Sequence, residues 1–171
     1  MQWTAASNSG FSAAPPHTYV SRLPDGGYGP KHVNVEASRR DPDSLFNFVR
    51  LLAHRYRQCP ELGWGSYVVL DHPVAPVLAI RSTWEDASML AVHNLASEAV
   101  AVPLTLGTPP IDDAGQEQPD WSDVTLVDLL SSGAYPDEGI PVSTDGRVEI
   151  PLEGYGHAWL RIHRPGQRRL L

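Results

Sequence analysis

Apolar residues follow two different periods along this chain, and the change of period divides it. Between Asp41 and Cys59, in DPDSLFNFVRLLAHRYRQC, Leu45, Phe48, Val49, Leu52 and Tyr56 recur every three or four positions, the repeat of one helical face. Phe46 and Ala53 widen that stripe, and Pro60 stops it. Asp41 is placed to cap the helix, with Pro42 in the first turn, where a missing N–H costs nothing. Arg50, Arg55 and Arg57 lie toward the opposite side or the C-terminal end, where positive charge suits the dipole and faces solvent. A helix of this length is marginal by itself in water, so its wide stripe calls for a surface to lie on.

Residues 1–40 carry no comparable period. Ser7-Asn8-Ser9-Gly10, Pro15-Pro16, Pro24-Asp25-Gly26-Gly27 and Gly29-Pro30 punctuate a long loop with turn-forming residues. Trp3, Phe11, Tyr19 and Tyr28 lie between them, an aromatic density that favours an ordered loop over a solvated tail.

After the helix the period falls to two. Ser66–Asp71, Val77–Ser82, Met89–Leu95, Ala99–Leu106, Thr125–Leu129, Arg147–Leu152 and His157–His163 are short runs rich in Val, Leu and Ile. Turn-forming stretches separate them, with no helical pattern between. Residues 64–171 therefore read as an antiparallel β-sandwich of about seven strands. Thr108–Trp121, rich in Pro, Asp and Gln, reads as an exposed excursion within it. It opens an acidic belt of Asp112, Asp113, Glu117, Asp120, Asp123 and Asp128, followed by Asp137 and Glu138. Such carboxylates could hold calcium, but they lack the alternation of oxygen ligands around a fixed Gly and read as a solvated loop.

Composition narrows the function classes. The 171 residues carry a formal net charge of −7, and no Lys or Arg occurs from Ser82 to Gly146; neither nucleic acid nor an acidic membrane is an expected partner. One cysteine cannot form an internal disulfide, which points to a reducing cytoplasm. Cys59, beside Pro60 at a helix end, reads as a packed residue and not a nucleophile. MQWTAASNSG has neither a charged nor an apolar leader region, and no apolar run is long enough to span a bilayer.

Catalytic signatures are missing from the motif search. No nucleophile elbow, phosphate-cradling loop, HExxH or cysteine pair occurs, and no two of the seven histidines have helical metal-pair spacing. No cofactor and no metal site is expected. Asp71-His72 before Pro73 reads as a strand-ending turn, and His93 and His157 fall within strand patterns. The five tryptophans could stack on sugar rings but read first as core or loop packing.

Five segments in order resemble a known family: Met1-Gln2-Trp3-Thr4, Asn8-Ser9-Gly10-Phe11-Ser12, Val33-Asn34-Val35-Glu36, Asp41-Pro42-Asp43-Ser44-Leu45 and Cys59-Pro60-Glu61-Leu62-Gly63-Trp64-Gly65. They resemble the last third of glycoside hydrolase family 13, the α-amylase superfamily, nearest to trehalose synthases and related α-glucosidases. His93-Asn94-Leu95 and Glu153-Gly154-Tyr155-Gly156, followed by Trp159, resemble the sheet domain that closes those enzymes. The resemblance implies that residues 1–62 are the terminal loop and last helix of a truncated (β/α)₈ barrel, and that residues 63–171 are the C-terminal β-sandwich. Met1 then resembles a methionine internal to the family pattern. The family's retaining α-glycosidase and maltose–trehalose isomerase chemistry uses carboxylates at earlier barrel strands, and no position here matches them.

Two functions follow as expectations. One is the C-terminal part of a trehalose-synthase-like or α-glucosidase enzyme, inactive alone, docking through Leu45, Phe48, Val49, Leu52 and Tyr56 onto a barrel partner or onto a second copy. The other is a free-standing β-sandwich module that binds α-glucan or a protein.

Overall fold

The computed structural model describes residues 2–15, 26–109, 120–130 and 133–164. The chain forms two compact units, Met1–His54 and Arg55–Leu171.

In the first unit, the amides of Trp3 and Thr4 both donate to the Ser9 carbonyl at 2.9 and 3.0 Å. Accepting both requires Asn8 and Ser9 to adopt left-handed φ of 54° and 56°, a region that Asn tolerates and most side chains avoid. Asn34 caps a short helix, α1 (Val35–Arg40), by accepting from Ala37 N at 2.8 Å, while its amide nitrogen donates to Pro30 O at 2.8 Å. This helix lies within the stretch expected to be loop. Six residues are too few for a periodic signal, and the Asn cap makes it.

The long helix, α2 (Leu45–Gln58), starts later than expected. Ser44 is its cap, accepting from Asn47 N at 3.2 Å, whereas Asp41 ends α1 and accepts from Asp43 N at 3.0 Å. Asn47 Nδ2 donates to Asp41 O at 2.6 Å and Ser38 O at 3.1 Å, holding residues 41–44 in a turn and moving the helix start to Leu45.

The second unit is mainly β. After a one-turn helix, α3 (Pro60–Gly63), come β1 (Ser66–Val69), β2 (Val77–Trp84), β3 (Ala87–Asn94), β4 (Val100–Thr105), β5 (Thr125–Asp128), β6 (Ile140–Pro141), β7 (Arg147–Leu152) and β8 (His157–His163). All pairings are antiparallel. One sheet has the order β1-β2-β3-β8-β5-β6, and β4 pairs with β7 in a second. The seven expected runs each supply a strand. The added β6 is two residues long, too short to show alternation.

Alternation places Val77, Ala79, Leu90, Val92, Leu160 and Ile162 on one face of the large sheet, against Val102, Leu104, Val148 and Ile150 of the small one. At about 1.5–3 kcal/mol for each large aliphatic side chain buried, this layer dominates the unit's stability. Pro103, Pro141 and Pro151 blunt the outer strands, since proline cannot donate to an added strand.

Trp121 is buried in this core. Its Nε1 donates to Gly107 O at 3.0 Å, and the Arg81 guanidinium lies 5.3 Å from its ring centre. Gly146, with φ +80°, leaves the space Trp121 needs: a Cβ there would sit 2.6 Å from Nε1. Most of the Thr108–Trp121 excursion, with Asp112, Asp113 and Glu117, lies outside the described residues. Asp120, Asp123, Asp137 and Glu138 are exposed, and among the described residues no three His, Cys, Asp or Glu side chains are grouped to hold a metal ion.

Candidate functional site

The five stripe residues share one face of α2, and none is fully buried. Leu45 is 75%, Val49 53% and Tyr56 52% exposed, with Phe46 at 40%; Phe48 and Leu52 are half-buried. Water therefore reaches an apolar surface whose full burial would contribute about 1.5–3 kcal/mol per large side chain.

Just beyond α2, the chain is fastened to the β unit by a residue that the sequence did not single out. Arg161, on β8, donates through one nitrogen to Gln58 O at 3.1 Å, Cys59 Sγ at 3.3 Å and Glu61 Oε1 at 2.8 Å. The Glu61 side chain is wholly buried and that of Arg161 nearly so. Around them Cys59, Met89 and Leu129 form a second small core, with Leu62, Ala91 and Trp159 against it. Burial, more than any neighbouring charge, pushes the Cys59 thiol up, so the thiolate is disfavoured and the residue packs. Gly65 completes the connection, because a Cβ there would meet the backbone of Glu61 and of Thr83.

A second fastening lies at the far end of β3. Asn94, buried, donates to Glu98 O at 2.7 Å and Glu153 O at 3.0 Å and accepts from Ala96 N at 3.0 Å. The turn from Glu153 to Gly156 is thereby pressed so close to the β3–β4 connection that a Cβ on Gly154 would collide with the Ser97 carbonyl. Next to it, His93 and His157 face each other across β3 and β8, with ring centres 6.3 Å apart and planes 21° from parallel.

Burial, then the neighbouring His157, holds the His93 imidazole below its ordinary 6.5. As pH falls below that value the unfolded chain takes up a proton that the folded one refuses, so folding stability should decline on acidification from pH 7.5 to 5.5. Urea unfolding at both pH values tests this. His93→Gln should flatten the dependence, and an unchanged slope would assign it to other groups. Asp71-His72 lies in the connection between β1 and β2, with His72 Nδ1 accepting from Val74 N at 3.3 Å.

No family model matches the chain. Curated relatives do. The trehalose synthase/amylase TreS of Mycobacterium tuberculosis (strain ATCC 25618 / H37Rv) is 30% identical over 167 residues, which span 95% of this chain and 25% of that protein. The trehalose synthase of Thermus thermophilus is 31% identical over 160 residues, 92% of this chain and 15% of the relative. The similarity is to the C-terminal part of trehalose-synthase-like members of glycoside hydrolase family 13. The trehalose-6-phosphate hydrolase of Escherichia coli (strain K12) is 35% identical over 100 residues, 57% of this chain and 17% of that protein.

Among solved structures, the trehalulose synthase MutB of Pseudomonas mesoacidophila MX-45 superposes with a TM-score of 0.60 at 22% identity, over 95% of this chain and 24% of that one. An isomaltulose synthase mutant from Erwinia rhapontici NX5 gives 0.58 at 23%, over 96% and 24%. These two share the fold. The chain thus spans about a quarter or less of the proteins it matches. Several residues of the segments that carried the resemblance are architectural: Asn8 and Ser9 form the Ser9 turn, Asn34 and Ser44 cap α1 and α2, and Glu61 and Asn94 fasten residues 58–61 and the Glu153 turn.

Proposed function

We propose that this chain is the C-terminal portion of a trehalose-synthase-like or α-glucosidase enzyme of carbohydrate metabolism, acting on α-linked glucosides in the cytoplasm. It brings no catalytic carboxylate of its own and closes a (β/α)₈ barrel supplied by the remainder of the enzyme. The observation that carries this reading is the open apolar stripe of α2, on a chain that matches a quarter or less of its relatives' length. The last helix of such a barrel buries its apolar face on the strands, which is what Leu45, Val49 and Tyr56 lack here.

Complementation tests it. The chain alone should show no maltose–trehalose interconversion above a buffer blank, because no carboxylate pair stabilises the oxocarbenium-like transition state. Mixed with a trehalose synthase cut before the matching segment, it should restore turnover. Leu45→Asp with Leu52→Asp should weaken that docking at least ~100-fold while leaving the β unit folded. Turnover by the chain alone would overturn the reading, as would cooperative unfolding of the whole chain by the double substitution. Dimerisation lost in the double variant, with no complementation by the parent chain, would make a second copy the occupant.

A further inference from the structure

An open cleft of about 550 Å³ lies in the β unit, lined by Tyr135, Pro151, Glu153, Tyr155 and His157 among others, within the usual range of small-ligand sites. Tyr155 is its most unusual residue. It is 71% exposed, yet its backbone is held at φ 55°, where a bulky residue is a genuine outlier. The hold is explicit: Tyr155 N donates to Ala96 O at 2.7 Å and Gly156 N to Glu153 O at 2.9 Å, and Asn94 grips Glu153 from behind. A strained backbone that leaves an aromatic side chain in water gains nothing for the core, and such strain gathers at ligand sites.

Tyr135, half-buried, is fixed by donating its hydroxyl to Pro151 O at 2.8 Å, and burial followed by the nearby Asp128 pushes its pKa up to about 12, so that the donor persists. Among the described residues the lining holds no Lys or Arg, the side chains that would recognise a phosphate or carboxylate. Glu153 accepts from hydroxyls and repels anions.

We propose that this cleft binds a neutral α-gluco-oligosaccharide, with a pyranose face on Tyr155 and ring hydroxyls donating to Glu153. Two tyrosines suit the apolar faces of sugar rings, and one carboxylate with one imidazole suits their hydroxyls. The choice of α-linked glucose rests on the enzyme reading above, but the site is distinct from the α2 surface.

Titrating the full chain with maltoheptaose in a calorimeter, with cellohexaose as the comparison, tests it. Maltoheptaose should bind with a millimolar Kd and cellohexaose at least tenfold more weakly. Tyr155→Gly, which suits the left-handed backbone, should weaken maltoheptaose binding at least tenfold while its Tm is no lower than the parent's. Tyr155→Asn, also tolerant of that backbone, should behave alike. No maltoheptaose binding by the parent chain, unchanged binding in both variants, or equal binding of cellohexaose would overturn the proposal. So would a proline-rich decapeptide that occupies the cleft in place of the sugar. These readouts need no barrel, so they fail or succeed independently of complementation.

Discussion

Glu61→Ala should lower the unfolding free energy of the β unit by about 3–5 kcal/mol, the range for removing one partner of a buried ion pair. Among the described residues, Arg161 would be left nearly buried with the Gln58 carbonyl and the Cys59 sulfur as its remaining hydrogen-bond partners. The pair is itself imperfect, because Glu61 Oε2 and Arg161 Nε find no hydrogen-bond partner among the described residues. A buried pair with unsatisfied atoms is weaker evidence for stability than its single deletions suggest. Replacing both, Glu61→Leu with Arg161→Met, should therefore recover most of the loss, and the double-mutant cycle should show strong coupling. Urea unfolding followed by tryptophan fluorescence measures Glu61→Ala and the four members of the cycle: the parent, Glu61→Leu, Arg161→Met and the double variant. A loss below about 1 kcal/mol for Glu61→Ala would mean that the pair is solvated, as exposed pairs are.

The strands were legible because Arg147–Leu152 and His157–His163 alternate strictly over a shared core, and burial on one face is what period two encodes. The α2 stripe was legible for the same reason at a longer period. Its start was misplaced because Asp41 and Ser44 both resemble caps, and the choice was made by Asn47, whose side chain reaches back six and nine residues to Asp41 O and Ser38 O, farther than a capping pattern reads. Arg161 was invisible: within HAWLRIH it occupies a position that alternation assigns to solvent, and only the folding back of Cys59–Gly63 covers it. Tyr155 stood in a quoted motif, but its left-handed backbone and its place on a cleft depend on Asn94 and Ser97, some sixty residues earlier. Local pattern reports which face is buried, not what crosses it.

Asn94→Asp should be as damaging as the loss of Glu61 and should reveal its cause through pH. The side-chain amide of Asn94 donates to Glu98 O and Glu153 O, and an ionised carboxylate has no donor. Glu98 O loses its donor at a cost of about 1–3 kcal/mol, Glu153 O is left with Gly156 N alone, and two acceptors facing a buried negative charge cost more, so a loss of at least ~3 kcal/mol at pH 7 is expected. Such a site favours the protonated acid, which raises the carboxyl pKa in the folded state above its unfolded value of about 3.9. The penalty is then full above the folded pKa and shrinks as pH falls through it, since the protonated Asp regains one donor. Relative to the parent protein, measured at the same pH so that the His93 contribution cancels, the variant should recover stability between pH 7 and 5. Asn94→Ala, with nothing to titrate, should be destabilised by a similar order at both pH values. A pH-independent deficit in Asn94→Asp, or one within 0.5 kcal/mol of zero as for an ordinary surface substitution, would show that the Glu153–Gly156 turn is held by something other than the Asn94 amide.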